Sequence, residues 1–305
     1  MSEHARLAAL VARAGERARH GLPALGLVYP CDRLAIEAAV AIGAAAIARP
    51  LLIGPREHIL RAAGEAAVDG HDFEIVATDS GGFAAAQRAT ALARDGAIAM
   101  LMKGSLHTDE LMSAIVNKTE GLRTEARISH AFVFDLPRYH KLLALADCVV
   151  NIAPNLKAKH DIIGNAITLL QGIGIATPRV ALLAAVESVN PSIAATVDAQ
   201  ALALAALNGG WPGAIVEGPL GFDNAFSAEA ACIKNIVSRV AGEADLLIVP
   251  DLNAGNMLYK SFVYVGGGEC AGLVLGARVP VVLTSRADSQ LARVASVALG
   301  VLAAR

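Results

Sequence analysis

The sequence predicts an α/β fold of two domains, each a mainly parallel sheet flanked by helices. Three observations carry that expectation. The chain has 305 residues, more than one hydrophobic core holds comfortably. Its composition is 55% hydrophobic but only 4% aromatic, so the core is built from Ala, Leu, Val and Ile, as where helices pack on a buried parallel sheet. Short apolar runs alternate with segments of helical period along the whole chain, which is the βαβ pattern.

Taken in order, Glu3, Arg6, Arg13 and Glu16 are spaced among Ala and Leu, which predicts a mixed-charge amphipathic helix. Apolar runs then predict strands at 24–28, 50–53, 73–76 and 97–102, and the periods between and after them predict helices at 32–48, 82–94 and 109–116. After Arg123, the stretch Thr124-Glu125-Ala126-Arg127 is charged and follows neither period. A crossover between domains is expected there. Further strands are expected at 131–134, 180–185, 214–216, 246–249, 272–275 and 279–283, with helices at 157–171, 192–207 and 228–241. Gly276-Ala277-Arg278, between two apolar runs, is the candidate return path. No repeat of solenoid period and no low-complexity linker interrupts the pattern.

Charge and composition exclude several classes. Lys and Arg number 26 against 28 Asp and Glu, a formal net charge of -2, which offers no electrostatic footprint for nucleic acid or an anionic membrane. The mean hydropathy of +0.50 raises the question of a membrane span. The best candidate, 38–48, is closed by Glu37 and Arg49 well short of a bilayer. The N-terminal segment has neither the apolar centre nor the cleavage pattern of a signal peptide, so a soluble, cytoplasmic protein is expected. Cys31, Cys148, Cys232 and Cys270 are scattered without C-x-x-C spacing and read as buried free thiols. His107, His130, His140 and His160 stand too far apart to suggest a ligand set, so no metal is expected.

Two stretches look chemical. One runs Val249-Pro250-Asp251-Leu252-Asn253-Ala254-Gly255-Asn256-Met257-Leu258-Tyr259-Lys260, the other Leu283-Thr284-Ser285-Arg286-Ala287-Asp288. In each, an apolar strand pattern breaks into small, polar and charged residues at the strand's end, where open α/β sheets bind ligands. A cation, a hydroxyl and a carboxylate within four residues suit an anionic substrate and proton or acyl chemistry. Lys103-Gly104-Ser105, with His107 and Thr108 close by, ends another apolar run and is a further anion-site candidate. Each has a structural alternative: Ser285 as an N-cap with Arg286 on the surface, Asp288 as a first-turn aspartate, Asn253 as an N-cap, and Ser105 or Thr108 as a cap. Arg123 has a surface ion pair as its alternative. Gly266-Gly267-Gly268 reads as a helix stop rather than a phosphate loop.

Seven motifs recur in one order: Met102-Lys103-Gly104-Ser105-Leu106-His107-Thr108, Gly121-Leu122-Arg123-Thr124, Asn151-Ile152-Ala153-Pro154, Val189-Asn190-Pro191-Ser192, Glu217-Gly218-Pro219-Leu220, and the two stretches above. In this series the chain resembles the phosphate acetyltransferase and phosphate butyryltransferase family from Met102 onward, about two-thirds of its length. The resemblance implies two α/β domains with an active cleft between them, similar to isocitrate and isopropylmalate dehydrogenases. It also implies a discontinuous first domain, 1–126 plus 280–305, around a second domain, 127–279. The implied activity is reversible acetyl transfer between coenzyme A and inorganic phosphate, with coenzyme A as a substrate and no cofactor, in a homodimer or larger homo-oligomer.

The same resemblance implies site roles. Ser285 and Arg286 match the family's Ser-Arg pair, the serine stabilising the transition state and the arginine holding phosphate. Arg123 matches its substrate-binding arginine. Asp251, Asn253, Asn256 and Lys260 match its Asp-Leu…Gly-Asn…Tyr-Lys motif, and Lys103 and Thr108 lie in its first motif. Two departures stand out. The position of the family's catalytic aspartate is Ala292, so Asp288 is the nearest carboxylate for the base. The family's second, more N-terminal arginine has no matching motif. Lys103 through Met112 and Leu122 to Phe134 look closer to acetyl-type members. Butyryl transfer is the runner-up, followed by a two-domain hydroxy-acid dehydrogenase and a non-catalytic coenzyme A-binding module. The dehydrogenase would need a carboxylate metal cluster or a G-x-G-x-x-G fingerprint, and neither is evident.

Overall fold

The computed structural model describes residues 4–285 and 287–304. The chain divides into two compact units: residues 7–126 with 271–305, and residues 1–6 with 127–270. The expected return path at 276–278 thus lies inside the first unit, after the chain has come back to it.

In chain order the elements are α1 (Ala5–Ala18), β1 (Ala24–Val28), α2 (Arg33–Ala44), β2 (Arg49–Gly54), α3 (Arg56–Glu65), β3 (Glu74–Ala77), α4 (Gly82–Arg94), β4 (Met100–Lys103) and α5 (Thr108–Ile115). The second unit then holds β5 (Ser129–Asp135), β6 (Leu143–Ala146), α6 (Leu156–Gly172), β7 (Arg179–Leu183), α7 (Ala194–Leu207), β8 (Ile215–Leu220), α8 (Phe222–Phe226), α9 (Ala228–Ile233), β9 (Leu246–Ile248) and α10 (Leu252–Tyr264). Strand β10 (Glu269–Leu275) leads back to β11 (Val281–Val282) and α11 (Gln290–Ala303).

In the first unit the strands lie in the order β3-β2-β1-β4-β11-β10. All pairs are parallel except β10 with β11. The chain lays β1, β2 and β3 outward in one direction, then returns to place β4 on the other side of β1. That reversal makes the carboxyl ends of β1 and β4 a topological switch point. Its core is aliphatic: Leu25, Leu27, Leu52, Ile53, Leu101 and Met102 of the strands are buried, with Ile36 and Ile42 of α2. The amphipathic reading of the N-terminus corresponds to α1, which buries Leu7, Leu10, Ala14 and Ala18.

In the second unit the order is β5-β6-β9-β7-β8, with only β5 and β6 antiparallel. Its core gathers Phe134, Leu145, Leu183, Leu247 and Phe262. Helix α10 comes close to the turn after β6. A Cβ added to Gly255 would stand 2.8 Å from the Asp147 carbonyl oxygen and 2.9 Å from Val249 Cγ2.

Several local expectations need correcting. The helix expected over 228–241 stops at Ile233. There Lys234 turns to bridge Glu187 and Asp223 (2.8 and 3.0 Å), and Asn235 takes a φ of +54°. Strand β6 and helix α3 were not expected. Cys232 is exposed, whereas Cys148 and Cys270 are buried as expected and Cys31 is half-buried. After α10, Gly266 and Gly268 donate to the carbonyls of Ser261 and Phe262 (both 2.9 Å) and Gly267 has φ +62°, the geometry of a helix stop. Among the described residues, no helix is long and apolar enough to cross a membrane.

Candidate active site

At the switch point of the first unit, the Lys103-Gly104-Ser105 loop is wedged against the end of β1. The Gly104 amide donates to the Val28 carbonyl at 2.8 Å and the Ser105 amide to the Tyr29 carbonyl at 3.0 Å. Only glycine fits this approach: an added Cβ would lie 2.6 Å from both the Val28 and Tyr29 carbonyl oxygens. Tyr29 itself holds a φ of +55°, an uncommon conformation for a bulky residue and one found at functional strand ends. The Ser105 hydroxyl donates to the Tyr29 carbonyl (2.8 Å) and accepts from the Cys31 amide (3.1 Å). Ser105 is therefore a clamp between loops and not a helix cap. Lys103 curls over the same loop, its ammonium donating to the carbonyls of Gly104 and Leu106, each at 3.2 Å.

The segment after β11 lies beside it. The Thr284 hydroxyl donates to the Lys103 carbonyl at 3.3 Å. From Ser285 the chain makes a turn: the Ser285 amide donates to Asp288 Oδ2 at 2.7 Å, and the Asp288 amide donates to the Ser285 carbonyl at 3.2 Å. Helix α11 begins only at Gln290. Its cap is Ser289, whose hydroxyl accepts from the Ala292 amide at 3.0 Å. Ser285 is thus not the N-cap, and Asp288 precedes the helix rather than standing in its first turn. Arg286 lies outside the described residues. Ala292 is buried within α11, which packs on α2.

A small, half-open recess forms here, with room for about 20 Å3. Lys103, Gly104, Thr284 and Ser285 line it together with Asp32, Leu34, Ala35, Ala38, Met102 and Arg293. Asp32 caps α2, accepting from the Ala35 amide at 2.9 Å, and it lines the recess at that helix end. Arg293 is only 8% exposed. Its guanidinium donates to the Leu34 carbonyl (2.9 Å) and the Ser285 carbonyl (3.3 Å), tying α2 to the Ser285 turn. Neighbouring Cys31 is held protonated: burial above all, then the Asp32 carboxylate, pushes its thiol up to about 12.

Of the residues singled out in the sequence, the recess brings together Lys103 and Ser285, with Asp288 bonded behind Ser285. Thr108 is the exposed first residue of α5, whose cap is His107; the His107 amide donates to Glu110 Oε2 at 2.9 Å. Thr108 is not among the residues that line the recess. Nor is Arg123, which is exposed and lies where the backbone bridges to Ala277. No ion pair of Arg123 forms among the described residues.

In the second unit, Asp251 caps α10 by accepting from the Ala254 amide at 3.0 Å. The cap is thus Asp251 and not Asn253. Asn253, Asn256 and Lys260 follow at spacings of three and four, which puts them on one face of the helix. Asn253 and Lys260 are exposed and Asn256 is half-buried.

Sequence reasoning missed Asp32 and Arg293. Asp32 had a signal, a capping residue at the start of the helix expected over 32–48. For Arg293 the only signal is a lone cation in the otherwise apolar run Leu291-Ala292-Arg293-Val294.

A family described as phosphate acetyl/butaryl transferase matches residues 82–301. The chain is 48% identical over 286 residues to a phosphate acetyltransferase of Rhizobium meliloti, covering 93% of this chain and 90% of the relative. It is 39% identical over 258 residues to a phosphate butyryltransferase of Clostridium acetobutylicum, covering 85% of each. Among solved structures, a branched-chain phosphotransacylase from Enterococcus faecalis V583 superposes with a TM-score of 0.82 at 28% identity, over 93% of this chain and 99% of that one.

Proposed function

Because the chain belongs to the phosphate acetyl/butyryl transferase family, we propose that it is a phosphate acetyltransferase, interconverting acetyl-CoA and phosphate with acetyl phosphate and coenzyme A. The observation that carries the reading is the pairing of Lys103 and Ser285 in one recess at the sheet's switch point, in a chain 48% identical to a phosphate acetyltransferase.

In the direction of acetyl-CoA synthesis, the coenzyme A thiol gives its proton to a base and its sulfur attacks the carbonyl carbon of acetyl phosphate. A C–S bond forms, the C–O bond to phosphate breaks, and phosphate leaves. Asp288 is the proposed base. Ser285 supplies a donor to the charge that develops on the carbonyl oxygen. Arg286 and Arg123 hold the phosphoryl oxygens through planar donor forks, and Lys103 adds positive charge. Thr108, Asp251, Asn253, Asn256 and Lys260 are proposed as further substrate-binding residues. Coenzyme A enters as a substrate, and the bonds above balance without a cofactor. The enzyme is further proposed to act in the cytoplasm as a homodimer or larger homo-oligomer. Exposed Leu204, Leu207 and Tyr264 of the second unit supply apolar surface for association.

The test is thiol release from acetyl-CoA with and without phosphate. Release that requires phosphate is expected, and release independent of it would contradict the reading. At residue level, Arg286→Ala is expected to keep the fold and lose about ten- to a hundred-fold in rate, the worth of a charge-assisted contact of about 1.5–3 kcal/mol. Arg286→Lys restores only part of it. A folded alanine variant with near-native rates at subsaturating phosphate removes Arg286 from the site.

A further inference from the structure

Arg127, where the chain enters the main segment of the second unit, is exposed yet held at two points. Its Nε donates to Asn151 Oδ1 at 2.5 Å, and its carbonyl accepts from Asn165 Nδ2 at 2.8 Å. Asn151 is itself locked. It is 4% exposed, and its Nδ2 donates to the Ile128 carbonyl (3.0 Å) and to Asp147 Oδ2 (2.6 Å). A carbonyl and a carboxylate only accept, so the Asn151 amide has one orientation and turns Oδ1 toward Arg127. Asp147, also buried, takes three further donors, the amides of His130, Val149 and Val150, at 3.1, 2.9 and 3.0 Å. Its charge is met by these donors, and no ion pair of Arg127 forms among the described residues. Nor do the terminal nitrogens of Arg127 donate to any group among them. A guanidinium oriented by a neutral amide keeps its charge and a planar donor edge for an anion.

The same segment carries the start of α10. The Leu252 amide donates to the Ile152 carbonyl at 2.9 Å, and Gly255 packs against the Asp147 carbonyl. The Asn151-Ile152-Ala153-Pro154 motif, without a role so far, therefore joins Arg127 to the corner where β9 gives way to α10. Strands β6 and β9 are parallel neighbours, and the carboxyl ends of such strands are where open α/β sheets bind ligands. We propose that Arg127, presented by Asn151, binds a phosphate group of the substrates. The inference rests on the acyl-transfer reading above and deepens it, since coenzyme A, acetyl-CoA, acetyl phosphate and phosphate all carry that group. The planar fork meets two phosphate oxygens at once. Asn151 touches no substrate and is a positioning residue.

The experiment measures kcat and KM for phosphate, acetyl phosphate, coenzyme A and dephospho-coenzyme A in the wild type, Arg127→Gln, Arg127→Lys, Asn151→Ala and the Arg127→Gln/Asn151→Ala pair. Arg127→Gln is expected to raise the KM of a phosphate-bearing substrate about ten- to a hundred-fold, as for loss of a charge-assisted contact, with kcat nearly unchanged. Arg127→Lys is expected to recover part of it. A rise for phosphate and acetyl phosphate assigns Arg127 to the transferred phosphoryl group. A rise for coenzyme A alone assigns it to the 3′-phosphate, and a rise shared with dephospho-coenzyme A to the pyrophosphate. Asn151→Ala is expected to raise the same KM, and the pair to match Arg127→Gln alone, because Asn151 acts through Arg127. Additive effects in the pair would overturn that presentation. Asn151 is buried, so the variants of exposed Arg127 keep the test decisive if Asn151→Ala does not fold. Folded Arg127 variants with wild-type KM for each substrate, or with a lower urea midpoint alone, would overturn the assignment and leave the transferase reading standing. A wild type that transfers no acetyl group to phosphate would remove both.

Discussion

The Ser285 amide donates to the Asp288 carboxylate at 2.7 Å, and the Asp288 amide donates back to the Ser285 carbonyl at 3.2 Å. This reciprocal turn fixes a carboxylate behind the serine without a helix between them. It places a candidate base on the same backbone as the hydroxyl proposed to stabilise the transition state, whereas Ala292, the position at which the resemblance led one to expect an aspartate, is buried.

Asp288→Asn separates the two roles open to that carboxylate. The amide oxygen still accepts from the Ser285 amide, so the turn persists while the base is lost. The expected result is a fall in kcat of about a hundred-fold, unchanged coenzyme A affinity, and loss of the acidic limb of the rate profile. An Asn variant with wild-type kcat and pH profile would reduce Asp288 to a turn former.

Arg293→Gln is expected to lower kcat about ten- to a hundred-fold. It withdraws donors from the Leu34 and Ser285 carbonyls, each loss costing about 1–3 kcal/mol where the group is buried. Arg293→Lys should recover part of kcat, since one ammonium reaches one carbonyl more easily than two. Steady-state kinetics beside urea unfolding checks this. If stability falls and kcat does not, Arg293 is a structural clamp alone.

Gly104→Ala forces a Cβ to within 2.6 Å of two carbonyl oxygens, so the loop must leave β1. The expected cost is about 1–3 kcal/mol, measured as a lower urea midpoint, with a larger loss of activity than of stability because Lys103 moves with the loop. An unchanged midpoint would show that the loop tolerates displacement.

His130, on β5 in the second unit, is fully buried and has no partner on either ring nitrogen among the described residues. Burial lowers its pKa to about 4, against a partial opposing pull from Asp147. The unfolded chain therefore takes up this proton first as pH falls. The stability this residue contributes is complete above about pH 6.5 and is lost toward pH 4. His130→Phe is expected to flatten unfolding free energy over that window. An unchanged slope would assign the acid sensitivity to other groups.

Sequence periodicity revealed most of the first unit because its strands are short, mainly apolar runs paired mostly in parallel. It failed at β6, where Leu143-Ala144-Leu145-Ala146 suits a buried helix as well as a buried strand. It overran α9, where the break comes from a lysine bridging two distant carboxylates. The site was legible where an apolar run ends in polar residues, as at Lys103 and Ser285. Arg293 was not, because its partners are backbone carbonyls, one of them 259 residues away, and backbone acceptors leave no mark in a sequence.

The most direct measurement follows thiol and acyl phosphate together in one reaction of the purified protein with acetyl-CoA and phosphate. One acetyl phosphate is expected for each thiol released, with reversal of both when acetyl phosphate and coenzyme A are added in excess. Thiol release without acetyl phosphate, or no release at all, would contradict it.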